Sequence, residues 1–248
     1  MILRDAESTL RELAKGYPIL ALTGPRQSGK TTLARAVFSS HPYVSLENPV
    51  QREFAQSDPQ GFLNKYGEGA IIDEVQRCPE LFAWLQGVVD EHQRPAHFIL
   101  TGSQQFGLLS GITQSLAGRV AMLNLLPFSA SELRRADLLP TSMDEALCKG
   151  SYPPIYDRNL APSVWYSNYV QTYIERDVRQ LINVRDLGQF QRFLRLCAGR
   201  TGQRFRREQF GPALYARRQR ELSCQRPKPC STKRALTTAT RHCLDQAR

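Results

Sequence analysis

The segment Leu-Ala-Leu-Thr-Gly-Pro-Arg-Gln-Ser-Gly-Lys-Thr-Thr at residues 20–32 constrains the fold of this chain more than any other stretch. Its spacing G-x-x-x-x-G-K-[ST] is met by Gly24, Gly29, Lys30 and Thr31. Glycines let the backbone curl so that successive N–H groups face one anion, and the lysine adds a cation. Because an apolar run precedes the loop and a helix-forming run follows it, the segment predicts a strand, a phosphate-binding loop and a helix.

This loop predicts a site for the phosphates of a nucleoside triphosphate, with Lys30 at the β- and γ-phosphates and the hydroxyl of Thr31 on Mg²⁺. The amino end of the following helix also favours an anion, because its free N–H groups and its dipole face the ligand. The predicted phosphate-binding residues are Gly24, Pro25, Arg26, Gln27, Ser28, Gly29, Lys30, Thr31 and Thr32. A glycine-rich turn that binds nothing is the alternative.

An acidic pair follows a later apolar run. Residues 70–72, Ala-Ile-Ile, predict a buried strand, and Asp73 and Glu74 come directly after it. A strand that ends in two carboxylates, downstream of a phosphate-binding loop, predicts that Asp73 holds Mg²⁺ together with Thr31. Glu74 is then predicted to be catalytic, orienting or deprotonating the attacking water. A solvated acidic pair at a strand end is the alternative.

Small polar residues end another predicted strand, at residues 97–103. Ligands of open α/β sheets lie beyond the carboxyl ends of the strands, so Thr101, Ser103 and Gln104 are candidates to contact the γ-phosphate. A plain turn is the alternative. With a further strand at residues 120–125, apolar strands alternate with helical patterns along the chain. This alternation predicts an α/β P-loop NTPase fold, a doubly wound and mostly parallel sheet with helices on both faces.

Length and composition exclude several classes of protein. At 248 residues, the chain has room for one α/β domain and something smaller. No apolar run approaches the ~20 residues of a membrane-spanning helix, and the first residues do not resemble a signal peptide, so we expect a cytosolic protein. The six cysteines form no C-x-x-C pair, so we expect reduced thiols rather than a zinc site or disulfides.

The net charge of +10 lies almost entirely in residues 204–248. That segment has 12 basic and 3 acidic residues, whereas residues 1–203 have 21 basic and 20 acidic residues. It also has few apolar residues and no periodicity, which predicts a disordered basic tail. A frameshift near Gln203 would explain such a tail, and a nucleic-acid-binding arm is the alternative.

Further motifs accompany the loop: Asp-Glu-Val-Gln at 73–76, Leu-Thr-Gly-Ser at 100–103, Leu-Ala-Gly-Arg at 116–119 and Gly-Ser-Tyr-Pro at 150–153. Together with the loop they resemble the AAA+-like prokaryotic ATPases that carry a C-terminal domain of unknown function. The resemblance covers residues 1 to about 203. It implies an AAA+-like core followed by a helical lid, with ATP and Mg²⁺ as the ligands.

The resemblance also marks Arg119 as catalytic. AAA+-like ATPases commonly complete their site with an arginine that neutralises charge on the transferring γ-phosphoryl group. Such an arginine acts within its own subunit or across the interface of a homo-oligomer. Arg176 and Arg179 are competing candidates for this role, and a surface ion pair is the alternative for Arg119.

These observations predict three segments: a P-loop ATPase core at 1–128, a helical lid with the start of the C-terminal domain at 129–203, and the basic tail at 204–248. The leading interpretation is an ATP-binding, Mg²⁺-dependent ATPase that serves as a switch or motor subunit. An ATP-regulated nucleic-acid-binding protein is the alternative from another class, and a phosphoryl-transfer kinase is a weaker one. The sequence does not identify the protein or nucleic-acid partner.

Overall fold

A computed structural model describes residues 2–103, 115–173 and 187–199 of the chain. The chain divides into two compact units, Met1–Asn183 and Val184–Arg248. The first unit contains the predicted ATPase core and residues 129–173 of the predicted lid segment, whereas residues 187–199 of that segment lie in the second unit.

A sheet of parallel strands forms the centre of the first unit. Its strands are β1 (Ile19–Thr23), β2 (Tyr43–Ser45), β3 (Ala70–Asp73), β4 (Phe98–Thr101) and β5 (Val120–Asn124). They lie in the order β2-β3-β4-β1-β5, and each pair of neighbours is parallel. The carboxyl ends of β1, β3 and β4 therefore lie at the same edge of the sheet. The predicted α/β fold with a parallel sheet is confirmed.

Helices cover both faces of this sheet. The described helices of the first unit are α1 (Ala6–Leu13), α2 (Lys30–Val37), α3 (Pro49–Ser57), α4 (Pro59–Lys65), α5 (Leu81–His92), α6 (Ala130–Arg135), α7 (Met143–Lys149), α8 (Pro153–Asp157) and α9 (Pro162–Tyr173), with a 3₁₀ turn at Val75–Arg77. Alternate residues of β1 enter two apolar cores. Ile19 and Ala21 belong to the core that contains residues of α4 and α5, and Leu20 and Leu22 to the core that contains residues of α1 and α2. Because it is covered on both faces, β1 is apolar almost throughout.

Helix α9 carries an aromatic stripe, which the spacing of Trp165, Tyr169 and Tyr173 predicts as a buried helix face. Trp165 is buried, and its ring stacks on that of Tyr169 with centroids 4.9 Å apart. Tyr152 packs against both rings. The side chain of Tyr173 lies outside the described part of the structure. The two described rings of the stripe therefore join α9 to the chain that precedes α8.

In the second unit, the structure describes helix α10 (Leu187–Ala198). The spacing of Leu187, Phe190, Leu194 and Cys197 predicts an apolar face on this helix. Phe190 and Cys197 are partly buried, and the side chains of the two leucines are not described. The predicted disordered tail lies outside the described residues. Within the described ranges, no helix is both long enough and apolar enough to cross a membrane.

Candidate functional site

The predicted phosphate-binding loop connects the carboxyl end of β1 to the amino end of α2. Gly24 follows β1 with φ of +137°, and a Cβ atom built there would overlap the carbonyl oxygen of Leu125. Gly29 directly precedes α2 and has φ of +93°. Only glycine adopts such backbone angles readily, so both glycines of the motif are required by the local geometry. The loop is thus curled in the way that the motif predicts.

Lys30 is the first residue of α2, and its side chain returns to the loop. The residue is 7% exposed, and Nζ donates hydrogen bonds to the carbonyl oxygens of Gly24 at 3.0 Å and Pro25 at 2.8 Å. Burial lowers the pKa of Lys30, while the carboxylates of Glu74 and Asp73 act in the opposite direction. A partly desolvated cation therefore lies beside the curled backbone.

Asp73 ends β3, where its carboxylate is surrounded by hydroxyl groups. Oδ1 accepts hydrogen bonds from Thr31 Oγ1 at 3.0 Å and from Thr101 Oγ1, and Oδ2 accepts one from the Tyr43 hydroxyl at 2.9 Å. Burial, followed by the contact with Asp73, raises the pKa of Tyr43 to about 12, so the phenol remains a donor at neutral pH. The structure thus brings together Thr31 and Asp73, the two predicted Mg²⁺ ligands.

Glu74 follows Asp73 in a left-handed conformation, with φ of +56°. That conformation is uncommon for a residue with a Cβ atom and is frequent at functional sites. Burial, followed by the nearby charge of Asp73, raises the pKa of Glu74. The side-chain amide of Gln76 donates hydrogen bonds to Glu74 Oε2 at 2.5 Å and to Ser103 Oγ at 3.3 Å. Gln76 therefore connects the predicted catalytic carboxylate to the predicted γ-phosphate contact, a link that the sequence did not reveal.

These side chains border a cleft of about 560 Å³. The loop and Glu74 form one wall, and residues from α8 and α9 form the other. The cleft is lined by Arg26, Gln27, Gly29, Lys30, Thr31, Thr32, Glu74, Pro153, Pro154, Asp157, Arg158, Tyr169 and Thr172. The last six were not predicted as site residues. The Gly-Ser-Tyr-Pro motif at 150–153, which ends at α8, is the signal in the sequence that points to this wall.

A second cavity of about 280 Å³ has mostly apolar walls. Ile2, Leu33 and Phe128 contribute its apolar groups, and Gly29 and Pro153 line both this cavity and the cleft. The loop and α8 therefore line both cavities, and the N-terminal segment lines the smaller one.

Arg119, the predicted catalytic arginine, is not brought into the cleft of its own chain. It precedes β5, and its carbonyl oxygen accepts a hydrogen bond from the backbone N–H of Ile19, the first residue of β1. Because the loop follows the other end of β1, five residues away, Arg119 lies roughly 15 Å or more from the loop along the strands. Its guanidinium pairs with Asp90, with 2.9 Å between Nη2 and Oδ2.

Arg119 thus lies at the amino end of β5 and does not line the cleft of its own chain. The competing arginines, Arg176 and Arg179, and the candidate phosphate contact Gln104 lie outside the described residues.

Two family models match parts of this chain. Residues 16–134, which run from the end of α1 to α6, match the family model of an AAA domain. This part of the chain is similar to AAA domains. Residues 140–220 match a domain of unknown function. The predicted resemblance, to AAA+-like P-loop ATPases with a C-terminal domain of unknown function, is therefore confirmed.

Curated relatives extend well beyond this chain. Uncharacterised proteins of Mycobacterium bovis and Mycobacterium tuberculosis are each 37% identical to it over 182 residues, which is 72% of this chain and 40% of the relative. The chain therefore spans about 40% of the length of the curated relatives that it matches.

Solved structures similar to this chain include a Walker-type ATPase. A Walker-type ATPase of Pyrococcus abyssi is 21% identical, with 79% of this chain and 76% of that chain covered and a TM-score of 0.45. DnaA of Aquifex aeolicus, solved with AMPPCP bound, is 15% identical, with 73% of this chain and 68% of that chain covered and a TM-score of 0.45.

Proposed function

We propose that this chain binds ATP together with Mg²⁺ in the 560 Å³ cleft and hydrolyses it, as a switch or motor subunit. One observation carries the proposal: Lys30 and Thr31 at the start of α2 meet Asp73 and Glu74 at the end of β3, at one edge of the sheet beside that cleft. Phosphoryl transfer needs this combination of a cation, oxygen ligands for a metal ion and a base near the water.

The residues beside the cleft fit both the phosphates of ATP and Mg²⁺. The curled backbone between Gly24 and Lys30 is a nest of N–H groups suited to phosphate oxygens, and a Cβ at Gly24 would close it. The Thr31 hydroxyl and the Asp73 carboxylate are hard oxygen ligands of the kind that Mg²⁺ prefers. When bound, the metal ion neutralises charge on the β- and γ-phosphate oxygens.

The adjacent carboxylates of Asp73 and Glu74 have different surroundings, which supports different roles for them. Both oxygens of Asp73 accept hydrogen bonds from hydroxyl groups, which orient the carboxylate and suit a metal ligand. Glu74 has a raised pKa and lines the cleft, which suits a group that accepts the proton of a water molecule. This division favours hydrolysis over phosphoryl transfer to a second substrate.

The smaller cavity supports a place for the nucleoside. It shares Gly29 and Pro153 with the phosphate cleft, and its apolar walls suit an aromatic base. A nucleotide with its phosphates on the loop would extend into this cavity, between the N-terminal segment and α8.

ATP turnover by the purified chain tests the proposal. Phosphate release is measured with Mg²⁺ and with EDTA, alone and with added DNA or RNA, and Lys30→Ala serves as the control for contaminating ATPases. We expect turnover that needs Mg²⁺ and is absent in Lys30→Ala. Equal phosphate release by both proteins, or none by the wild type in any condition, would overturn the proposed hydrolysis.

Asp73→Asn is expected to weaken the apparent affinity for Mg²⁺ in the ATP-bound protein by roughly 10–100-fold, the range for groups that hold or orient a metal ligand. The amide keeps the shape of the carboxylate but not its charge, so the hydroxyl contacts of Thr31 and Thr101 remain available. A Mg²⁺ titration of ATP binding measures the effect, and Asp144→Asn, at an exposed position of α7, is the matched control. An unchanged titration in Asp73→Asn would remove Asp73 from the metal site.

Arg119→Ala is expected to lower turnover by about 10³-fold, if Arg119 supplies charge to the γ-phosphate of a neighbouring subunit. Its distance from the cleft of its own chain favours this arrangement over action within the subunit. Mixing inactive Arg119→Ala with inactive Lys30→Ala should then restore part of the activity, because mixed oligomers contain sites with both residues intact. Normal turnover by Arg119→Ala alone would show that the exposed pair with Asp90 is a surface ion pair.

A further inference from the structure

Arg4 precedes α1, far from the sequence motifs, yet it is only 8% exposed. Its guanidinium donates hydrogen bonds in three directions and lies 4.9 Å from the centroid of the Phe128 ring. The acceptors are Ser28 O at 2.8 Å from Nη1, Glu132 Oε1 at 3.0 Å from Nε, and Leu126 O at 2.5 Å and Pro127 O at 3.4 Å from Nη2. An arginine with so many buried acceptors joins the parts of the chain that supply them.

The contact with Ser28 reaches the middle of the phosphate-binding loop. In a planar trans peptide, the carbonyl group of one residue and the N–H group of the next point in opposite directions. Fixing the carbonyl of Ser28 toward Arg4 therefore directs the N–H of Gly29 away from Arg4. Gly29 lines the cleft, so the direction of its N–H group affects how the loop can contact a phosphate there.

A second partner of the Arg4 guanidinium is the carboxylate of Glu132, a residue that is 3% exposed. Its Oε1 also accepts a hydrogen bond from the backbone N–H of Asp5 at 2.7 Å, and its Oε2 accepts one from the backbone N–H of Ser129 at 2.9 Å. Ser129 and Glu132 form the capping box that begins α6. The buried ion pair thus attaches the N-terminal segment to the first helix after the sheet.

We propose that Arg4 is a positioning residue of the phosphate site: it holds the Ser28–Gly29 peptide in the shape that receives phosphates and ties it to Glu132 at the start of α6. This inference rests on the proposed function, because it assumes that the loop binds a nucleotide. The planar fork of arginine is essential, since its donors on Nε, Nη1 and Nη2 span separate acceptors, whereas the donors of lysine all lie on one nitrogen.

Arg4→Lys tests the inference, because it keeps the charge and loses the fork. Isothermal titration measures the Kd of ADP and of inorganic pyrophosphate, each with Mg²⁺, at a temperature where the thermal melting curve shows both proteins folded. We expect Kd to rise about tenfold for both ligands, since an effect that passes through the loop does not depend on the nucleoside. Arg11→Lys, in the exposed pair with Glu7 on α1, is the matched control and should bind both ligands as the wild type does.

Several results would overturn the inference. Wild-type binding of both ligands by folded Arg4→Lys would show that the contact serves stability alone. A loss confined to ADP would show that Arg4, which also lines the smaller cavity, acts on the nucleoside rather than through the loop. If Arg4→Lys does not fold, Glu132→Gln tests the same link: a raised Kd for pyrophosphate in the folded protein supports it, and an unchanged Kd overturns it. Wild-type protein that binds neither ligand better than Lys30→Ala does would overturn the proposed function as well.

Discussion

Lys30→Ala is expected to weaken ATP binding by at least ~30-fold, because truncating one partner of a buried charge pair costs about 2–5 kcal/mol. The ammonium group is partly desolvated and lies against the loop, so its attraction to phosphate oxygens is screened less than at the surface. Its removal leaves the ligand's charge without this partner. Titration of a fluorescent ATP analogue into wild type and variant measures the loss.

The matched control for this prediction is Lys15→Ala. Lys15 follows α1 and forms an exposed ion pair with Glu12, so the change removes the same charge without touching the loop. We expect wild-type affinity in this control. Equal affinities of wild type and Lys30→Ala would contradict the assignment of residues 24–31 as the phosphate-binding loop.

Glu74→Gln is expected to lower ATP turnover by about 10²–10⁴-fold, the usual contribution of a general base, and to leave ATP affinity nearly unchanged. The amide has almost the same shape as the carboxylate but cannot take the proton of the attacking water. Single-turnover phosphate release measures the chemical step, and equilibrium titration of the ATP analogue measures binding.

Glu53→Gln, at an exposed position of α3, is the control for the loss of one carboxylate. It should hydrolyse ATP at the wild-type rate. If Glu74→Gln also turns over at that rate, another residue is the base. If it loses binding and turnover together, Glu74 belongs to the ligand-binding part of the site rather than to the chemistry.

The sequence by itself determined the fold and the centre of the candidate site, because both depend on short-range patterns. The spacing of Gly24, Gly29 and Lys30 dictates a curled loop through backbone angles that few other residues adopt. The apolar run before the loop forms the buried strand β1. A continuous apolar run predicts such a strand, because a strand in a sheet covered on both faces is buried on both sides. Since parallel strands end at one edge, the proximity of Asp73 to Thr31 also follows from the order of the elements.

Only the tertiary structure decided where Arg119 and Arg4 lie relative to the loop. Arg119 stands in a motif, but its position at the amino end of β5 keeps it away from the cleft of its own chain. Arg4 stands in no motif, yet it contacts Ser28, which is 24 residues away in sequence, and Glu132, which is 128 residues away. Local patterns predict helices, strands and tight loops, because neighbouring residues determine these. A buried hydrogen bond between distant residues depends on how those elements pack, which no short stretch of this sequence encodes.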